Sequence, residues 1–141
     1  MNTAPNIDGF YRKVSRRDPN LSKLDILRSS SCSATYGELT QTGARNLIRH
    51  LGPEPQDVFL DNGSGVGKLV LQAAMSVGIR QCVGIERIRA RHEYAVAGLE
   101  YARQNTCLKT DNVSFEFGNA RDQGFYVFHM FFTQLSDSGC S

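Results

Sequence analysis

The sequence predicts an α/β fold on a parallel sheet, Rossmann-like in the alternation of its elements. Three observations predict it. From residue 58 onward, short apolar runs alternate with helix-period segments; alternation of this kind implies parallel strands joined by right-handed crossovers. The first run, Val58, Phe59 and Leu60, ends in Asp61 and leads at once into Gly63, Gly65 and Gly67 at alternate positions. The second run, Cys82 to Ile85, ends in another acid, Glu86.

The elements follow in chain order. Residues 1–35 are polar and basic, with a turn at Asp18, Pro19 and Asn20 and a loop at Ser29, Ser30 and Ser31. Leu21, Leu24, Ile26 and Leu27 allow one short helix between them. Thr40 is placed to cap the next helix, in which Ala44, Leu47, Ile48 and Leu51 lie on one apolar face. Gly52, Pro53 and Pro55 end it, because proline cannot continue a helix. After the first strand and its glycines, Val66, Leu69, Val70, Ala73 and Val77 give a helix that stops at Gly78. A second helix is expected over 88–104, with Ile88, Ala95, Leu99 and Ala102 on one face. Alternating Val113, Phe115 and Phe117 predict a third strand. The apolar, aromatic stretch 125–132 predicts a fourth, after which the chain is polar. One domain is therefore expected over 36–132, between a basic N-terminal segment (1–35) and a polar tail (133–141).

Composition narrows the function less than the motifs do. The chain has 141 residues, enough for one domain, and its hydrophobic content of 40% with 21% charged residues fits a soluble globular protein. A net charge of +2 does not by itself imply nucleic acid. The charge is uneven, however. Arg12, Lys13, Arg16, Arg17, Lys23 and Arg28 gather near the N-terminus, and Arg80, Arg87, Arg89 and Arg91 form a second group. These are solvated surface or a contact for an acidic partner such as nucleosomal DNA. Cys32, Cys82, Cys107 and Cys140 form no CxxC pair and are too widely spaced for a zinc site, so reduced thiols are expected. No apolar run resembles a signal peptide or approaches the ~18 residues of a membrane span.

The glycine turn tests three ligands. A phosphate-binding lysine loop is suggested by Lys68 after Gly67, but it would need glycine at Asn62 and a hydroxyl residue at Leu69. A dinucleotide fold would show GxGxxG, whereas the spacing here is GxGxG, and Asp61 would repel an approaching pyrophosphate. S-adenosylmethionine fits better. It carries a sulfonium and an amino acid head in place of phosphates, so Asp61 can attract its ammonium. The glycines let the backbone approach. Glu86 can accept from both ribose hydroxyls, and Asn119 or Asp122 can bond the adenine amino group. Acid, GxGxG, acid is the pattern of a class I S-adenosylmethionine-dependent methyltransferase, here with about four strands. The alternative is that Gly63 and Gly65 make only a tight turn and that Glu86 only opens a helix.

The residues YGELT, FLDNGSGVGKLVLQAA and VGIE resemble the histone H3 core-lysine methyltransferases of the disruptor-of-telomeric-silencing family, the non-SET histone lysine methyltransferases. The spacing also matches: 25 residues separate Tyr36 from Asp61, and another 25 separate Asp61 from Glu86. The resemblance covers roughly residues 34–100. It implies that Tyr36, Gly37, Glu38 and Leu39 close over the cofactor. It implies that Phe59, Leu60, Asp61, Asn62, Gly63, Ser64, Gly65, Val66, Gly67 and Lys68 wrap its methionine end, and that Glu86 holds the ribose. Asn119 and Ala120 would lie beside the adenine, where the family has an aspartate and an aromatic. Leu39 stands in place of a threonine and Lys68 in place of a glutamine.

The implied activity is methyl transfer from S-adenosylmethionine to a lysine of histone H3 in the nucleosome, in the nucleus and without a metal. DNA contact through the basic N-terminal residues fits that setting. No catalytic base can be named; Tyr36 and Glu38 are nearest by family position. The family's asparagine-asparagine-phenylalanine motif, which lines its lysine channel, has no counterpart after Phe125, and a complete sheet of this class needs about seven strands. A C-terminally truncated form is therefore expected. Two alternatives remain: a catalytically dead fragment that still binds the cofactor, and a class I methyltransferase with another substrate.

Overall fold

The computed structural model describes residues 6–17, 39–105, 108–119 and the backbone of 130–134. Its elements in order are α1 (Ile7–Arg17), α2 (Gln41–Leu51), β1 (Val58–Asn62), α3 (Lys68–Ser76), β2 (Gln81–Glu86), α4 (Arg89–Asn105), β3 (Val113–Phe117) and β4 (Met130–Gln134). The strands form one sheet in the order β3-β2-β1-β4, and all three pairings are parallel. The sheet grows from β1 to one side through β2 and β3, and β4 then joins the other side of β1. The order therefore reverses at β1, and open α/β sheets bind ligands at the carboxyl ends beside such a reversal.

Successive strand residues face opposite sides of the sheet. Phe59, Cys82, Val113 and Phe115 point into a core shared with all four helices. Val58, Leu60, Val83 and Ile85, the alternate positions, form a separate buried cluster. Helix α2 begins as its sequence predicts: the Thr40 side chain accepts from the Gly43 amide, and Gly52 ends it at φ +55°.

The structure departs from the sequence reading at four places. Helix α1 was not expected, because the segment reads as basic and polar overall. Its Ile7, Phe10, Tyr11 and Val14 nonetheless recur at helical spacing and are buried against α3 and α4. Helix α3 begins at Lys68, not Val66, since Gly67 holds a left-handed φ of +86° and ends the turn. It stops at Ser76, two residues before Gly78. The Ala74 carbonyl is taken by the Lys109 and Thr110 amides, and Thr110 Oγ1 donates to the Val77 carbonyl.

The fourth strand is Met130–Gln134 and not 125–132. Its bounds follow pairing with β1, from Val58 with Met130 to Asn62 with Gln134, and so include polar residues that an apolar run cannot reveal. The helix expected around Leu21 to Leu27 lies outside the described residues.

Candidate cofactor site

The candidate site is assembled at the carboxyl ends of β1, β2 and β3. Asp61 ends up 1% exposed between β2 and β4, paired in register with Gly84 and Thr133. The chain then turns through Gly63, Gly65 and Gly67, all with left-handed φ of +86°, +56° and +86°. Only glycine adopts such a run without steric cost. The turn is tied to β2 by the Gly63 and Ser64 amides, which both donate to the Ile85 carbonyl at 2.8 and 3.0 Å.

Glu86 is the hub. It is 5% exposed. Its Oε2 accepts from the Gly65 amide at 2.8 Å, and its Oε1 accepts from the Ile88 amide at 2.8 Å, at the start of α4. Its backbone carbonyl accepts from the Gly118 amide at the end of β3. One residue therefore clamps the glycine turn, opens a helix and joins the third strand. The helix-opening role and the ligand role are compatible: each carboxylate oxygen has two acceptor directions, and each has used one.

The glycines differ in purpose. At Gly67 a Cβ would sit 2.5 Å from Phe115 Cζ and 3.0 Å from the Ala95 Cβ, so this position is closed by packing. Gly84 is closed in the same way by Phe115 and by Ser64 Oγ. At Gly63 a Cβ would meet no atom of the described residues within 4 Å, so its bare backbone borders space left open by them. Ser64 Oγ is buried without a hydrogen-bond partner among the described residues. An open glycine face and an acid with spare acceptor capacity suit a ligand with an amino acid head and a diol.

The remaining expected residues are spread around this centre. Phe59 and Leu60 are buried in β1, on opposite faces of the sheet. Val66 is buried within the turn, and Asn62 lies half-buried beside it. Leu39 is exposed just before α2, and Asn119 is exposed beyond β3. Lys68 directs its Nζ to Asp8 of α1 at 3.1 Å, over the Tyr11 ring. That is not the posture of a phosphate-gripping lysine. Tyr36, Gly37, Glu38 and Ala120, like Asp122, lie outside the described residues.

The sequence reading places Phe117 in the third strand and gives it no part in the site. Phe117 is 40% exposed at the end of β3, with the Arg89 guanidinium 4.3 Å from its ring centroid and His92 tilted beside it. Arg91 is buried, so the second basic group is not one solvated patch.

A solved S-adenosylmethionine-dependent methyltransferase from Thiobacillus denitrificans, in complex with S-adenosyl-L-homocysteine, is similar to this fold. It superposes with a TM-score of 0.51 at 23% identity, over 67% of this chain and 35% of that one. The strand order, the glycine turn and the two acids define a class I S-adenosylmethionine-dependent methyltransferase fold. The family model for the histone methylation protein DOT1 matches residues 14–119, and the chain belongs to that family.

Its curated relatives include the H3 lysine-79-specific histone-lysine N-methyltransferases of Drosophila melanogaster and Caenorhabditis elegans. The first is 38% identical over 60 residues, 43% of this chain and 3% of that protein. The second is 36% identical over 77 residues, 55% of this chain and 8% of that protein. The chain thus spans a small part of the curated relatives it matches.

Proposed function

We propose that the chain binds S-adenosylmethionine in the turn between β1 and α3 and transfers its methyl group to a lysine of histone H3 in the nucleosome. The observation that carries this reading is the glycine turn clamped on the Glu86 carboxylate, with Asp61 buried beside it. When bound, the cofactor would supply a methyl on a sulfonium, which a neutral lysine amine would take, with S-adenosylhomocysteine leaving as the neutral thioether.

This chain's own residues bind and orient. Glu86 accepts from the ribose diol with its remaining acceptor directions. Asp61 attracts the ammonium, and the low exposure of both acids strengthens the attraction. The backbone at Gly63 leaves room for the methionine end. The family resemblance assigns closure over it to Tyr36, Gly37, Glu38 and Leu39, and the adenine end to Asn119 and Ala120. The site works by positioning the reactants and excluding water.

The family name and the H3 specificity of the curated relatives support histone H3 as substrate and the nucleus as location. Exposed Arg12, Lys13 and Arg16 on α1 support contact with the DNA phosphates of the same particle.

Calorimetry with S-adenosylhomocysteine tests the binding half. Asp61→Ala and Glu86→Ala should each weaken binding about 10-fold or more, the scale for losing a charged hydrogen-bond partner. Wild-type affinity in both variants would move the site elsewhere. A tritiated-methyl assay on nucleosomes, with free histones, DNA and small amines in parallel, tests the transfer. Label on H3 is expected; binding without any transfer would leave a cofactor-binding fragment, and label only on another substrate would reassign it.

A further inference from the structure

Tyr11 lies on α1, upstream of the residues that the family model matches. It is buried, with its ring stacked on Tyr94 at a centroid distance of 5.6 Å and an interplanar angle of 5°. Gly98 of α4 leaves the space for it: a Cβ there would come within 3.1 Å of the Tyr11 hydroxyl. The Tyr11 carbonyl is held in turn, accepting from Ser15 Oγ at 3.0 Å and from the Tyr94 hydroxyl at 3.3 Å. Ser15 Oγ and the Tyr94 hydroxyl also bond to each other. The side chain is thus fixed before it reaches the glycine turn.

There its hydroxyl donates to the Val66 carbonyl. The Val66 carbonyl and the Gly67 amide belong to one planar peptide unit. The amide end of that unit donates to the Ser64 carbonyl at 2.9 Å. Glycine at 67 leaves the φ on one side of this unit free at little cost, so the chain's own stereochemistry constrains the plane only from the Val66 side. Its two polar ends fix it further, one held from within the turn and the other from α1. The Lys68–Asp8 pair also joins α1 to this region, but its side chains are 24% and 58% exposed, where ion pairs contribute little.

We infer that Tyr11 is a positioning residue for the cofactor turn: its hydroxyl, supplied by the N-terminal helix, holds the Val66–Gly67 peptide in the orientation that receives the methionine end of S-adenosylmethionine. The inference rests on the cofactor reading above and adds the N-terminal segment to the site. It makes binding sensitive to the docking of α1, although no atom of α1 needs to touch the ligand.

The test compares Tyr11→Phe, which keeps the stacked ring, with Tyr94→Phe, which removes a hydroxyl from the same stack without reaching the turn. Calorimetry on the full chain, below the melting temperature of each variant, uses S-adenosylhomocysteine and 5′-deoxyadenosine, which lacks the amino acid head. Tyr11→Phe should bind S-adenosylhomocysteine about 3- to 10-fold more weakly, the scale of one lost hydrogen bond, with 5′-deoxyadenosine unchanged. Tyr94→Phe removes only a brace on Tyr11, so it should lose clearly less affinity for S-adenosylhomocysteine than Tyr11→Phe and bind 5′-deoxyadenosine like wild type. Amide exchange at Gly67 should quicken more in Tyr11→Phe than in Tyr94→Phe, a readout that needs no ligand. Unchanged affinity in Tyr11→Phe, equal losses for both ligands, equal losses in both variants, or unchanged Gly67 exchange would each overturn the inference while leaving the cofactor reading standing. A wild-type chain that binds neither ligand would overturn both.

Discussion

Gly63 and Gly67 share a φ of +86° but answer to different constraints. An alanine at either must adopt a left-handed conformation, costing about 1–2 kcal/mol. Gly67→Ala adds a collision with the Phe115 ring at 2.5 Å, and overpacking of a core costs roughly 1–3 kcal/mol more. Urea titrations should therefore show Gly67→Ala losing clearly more stability than Gly63→Ala. Gly63→Ala should instead weaken S-adenosylhomocysteine binding in a chain that still folds. Equal stability losses would mean that the Phe115 contact is relieved without cost. The glycine spacing was legible in the sequence; which glycine is closed by packing and which has open space beside it was not, because Phe115 arrives from β3. Glu86 teaches the same lesson. Its type and place at a strand end are local facts, whereas its bond to the Gly65 amide exists only because β1 and β2 are neighbours.

At the scale of elements, α1 is the informative one. A segment with Arg12, Lys13, Arg16 and Arg17 reads as surface when its composition is averaged. Its apolar residues at 7, 10, 11 and 14 follow the helical repeat, and that period was the signal available. Phe10 meets Tyr11 and Tyr101 edge-on, at centroid distances of 5.4 and 5.1 Å. Phe10→Ala should lower the unfolding free energy by roughly 3 kcal/mol, at the low end for a buried aromatic. A loss below about 1 kcal/mol in chemical denaturation would mean that α1 is not part of the core. The other helices were more legible because their caps are local. Thr40 and Gly52 act within one turn of α2, so the sequence around them carries the whole instruction.

The whole molecule is organised around its central strands, and Cys82 of β2 lies within that core, fully buried. Burial pushes its thiol up from 9.0 to about 12, with the Thr110 hydrogen bond acting in the opposite direction. The folded state therefore favours the neutral thiol. Its contribution to stability is complete below about pH 9, where the unfolded thiol is also neutral, and is lost as pH rises through about 12. At pH 8 iodoacetamide should label Cys82 only when the chain unfolds, and the labelled fraction read by peptide mass spectrometry should follow the global urea transition. Labelling of the native chain at the rate of the unfolded one would contradict a closed core. Cys82 could be placed in a strand from sequence; its depth follows from helices packed over β2.

The sequence alone determined the parallel α/β class, three of the four strands nearly to the residue, and the acid–glycine–acid arrangement at the strand ends. These are set by covalent neighbours, since turn geometry, capping and periodicity act over a few residues. Only the tertiary structure decided that β4 begins at Met130, that α1 joins the core, and that Glu86 and Tyr11 hold the glycine turn from two sides. Tyr11 and Val66 lie far apart along the chain, and so do Gly65 and Glu86. Such contacts form only once strand order and helix packing bring them together, and no local pattern in the chain encodes which distant group will meet which.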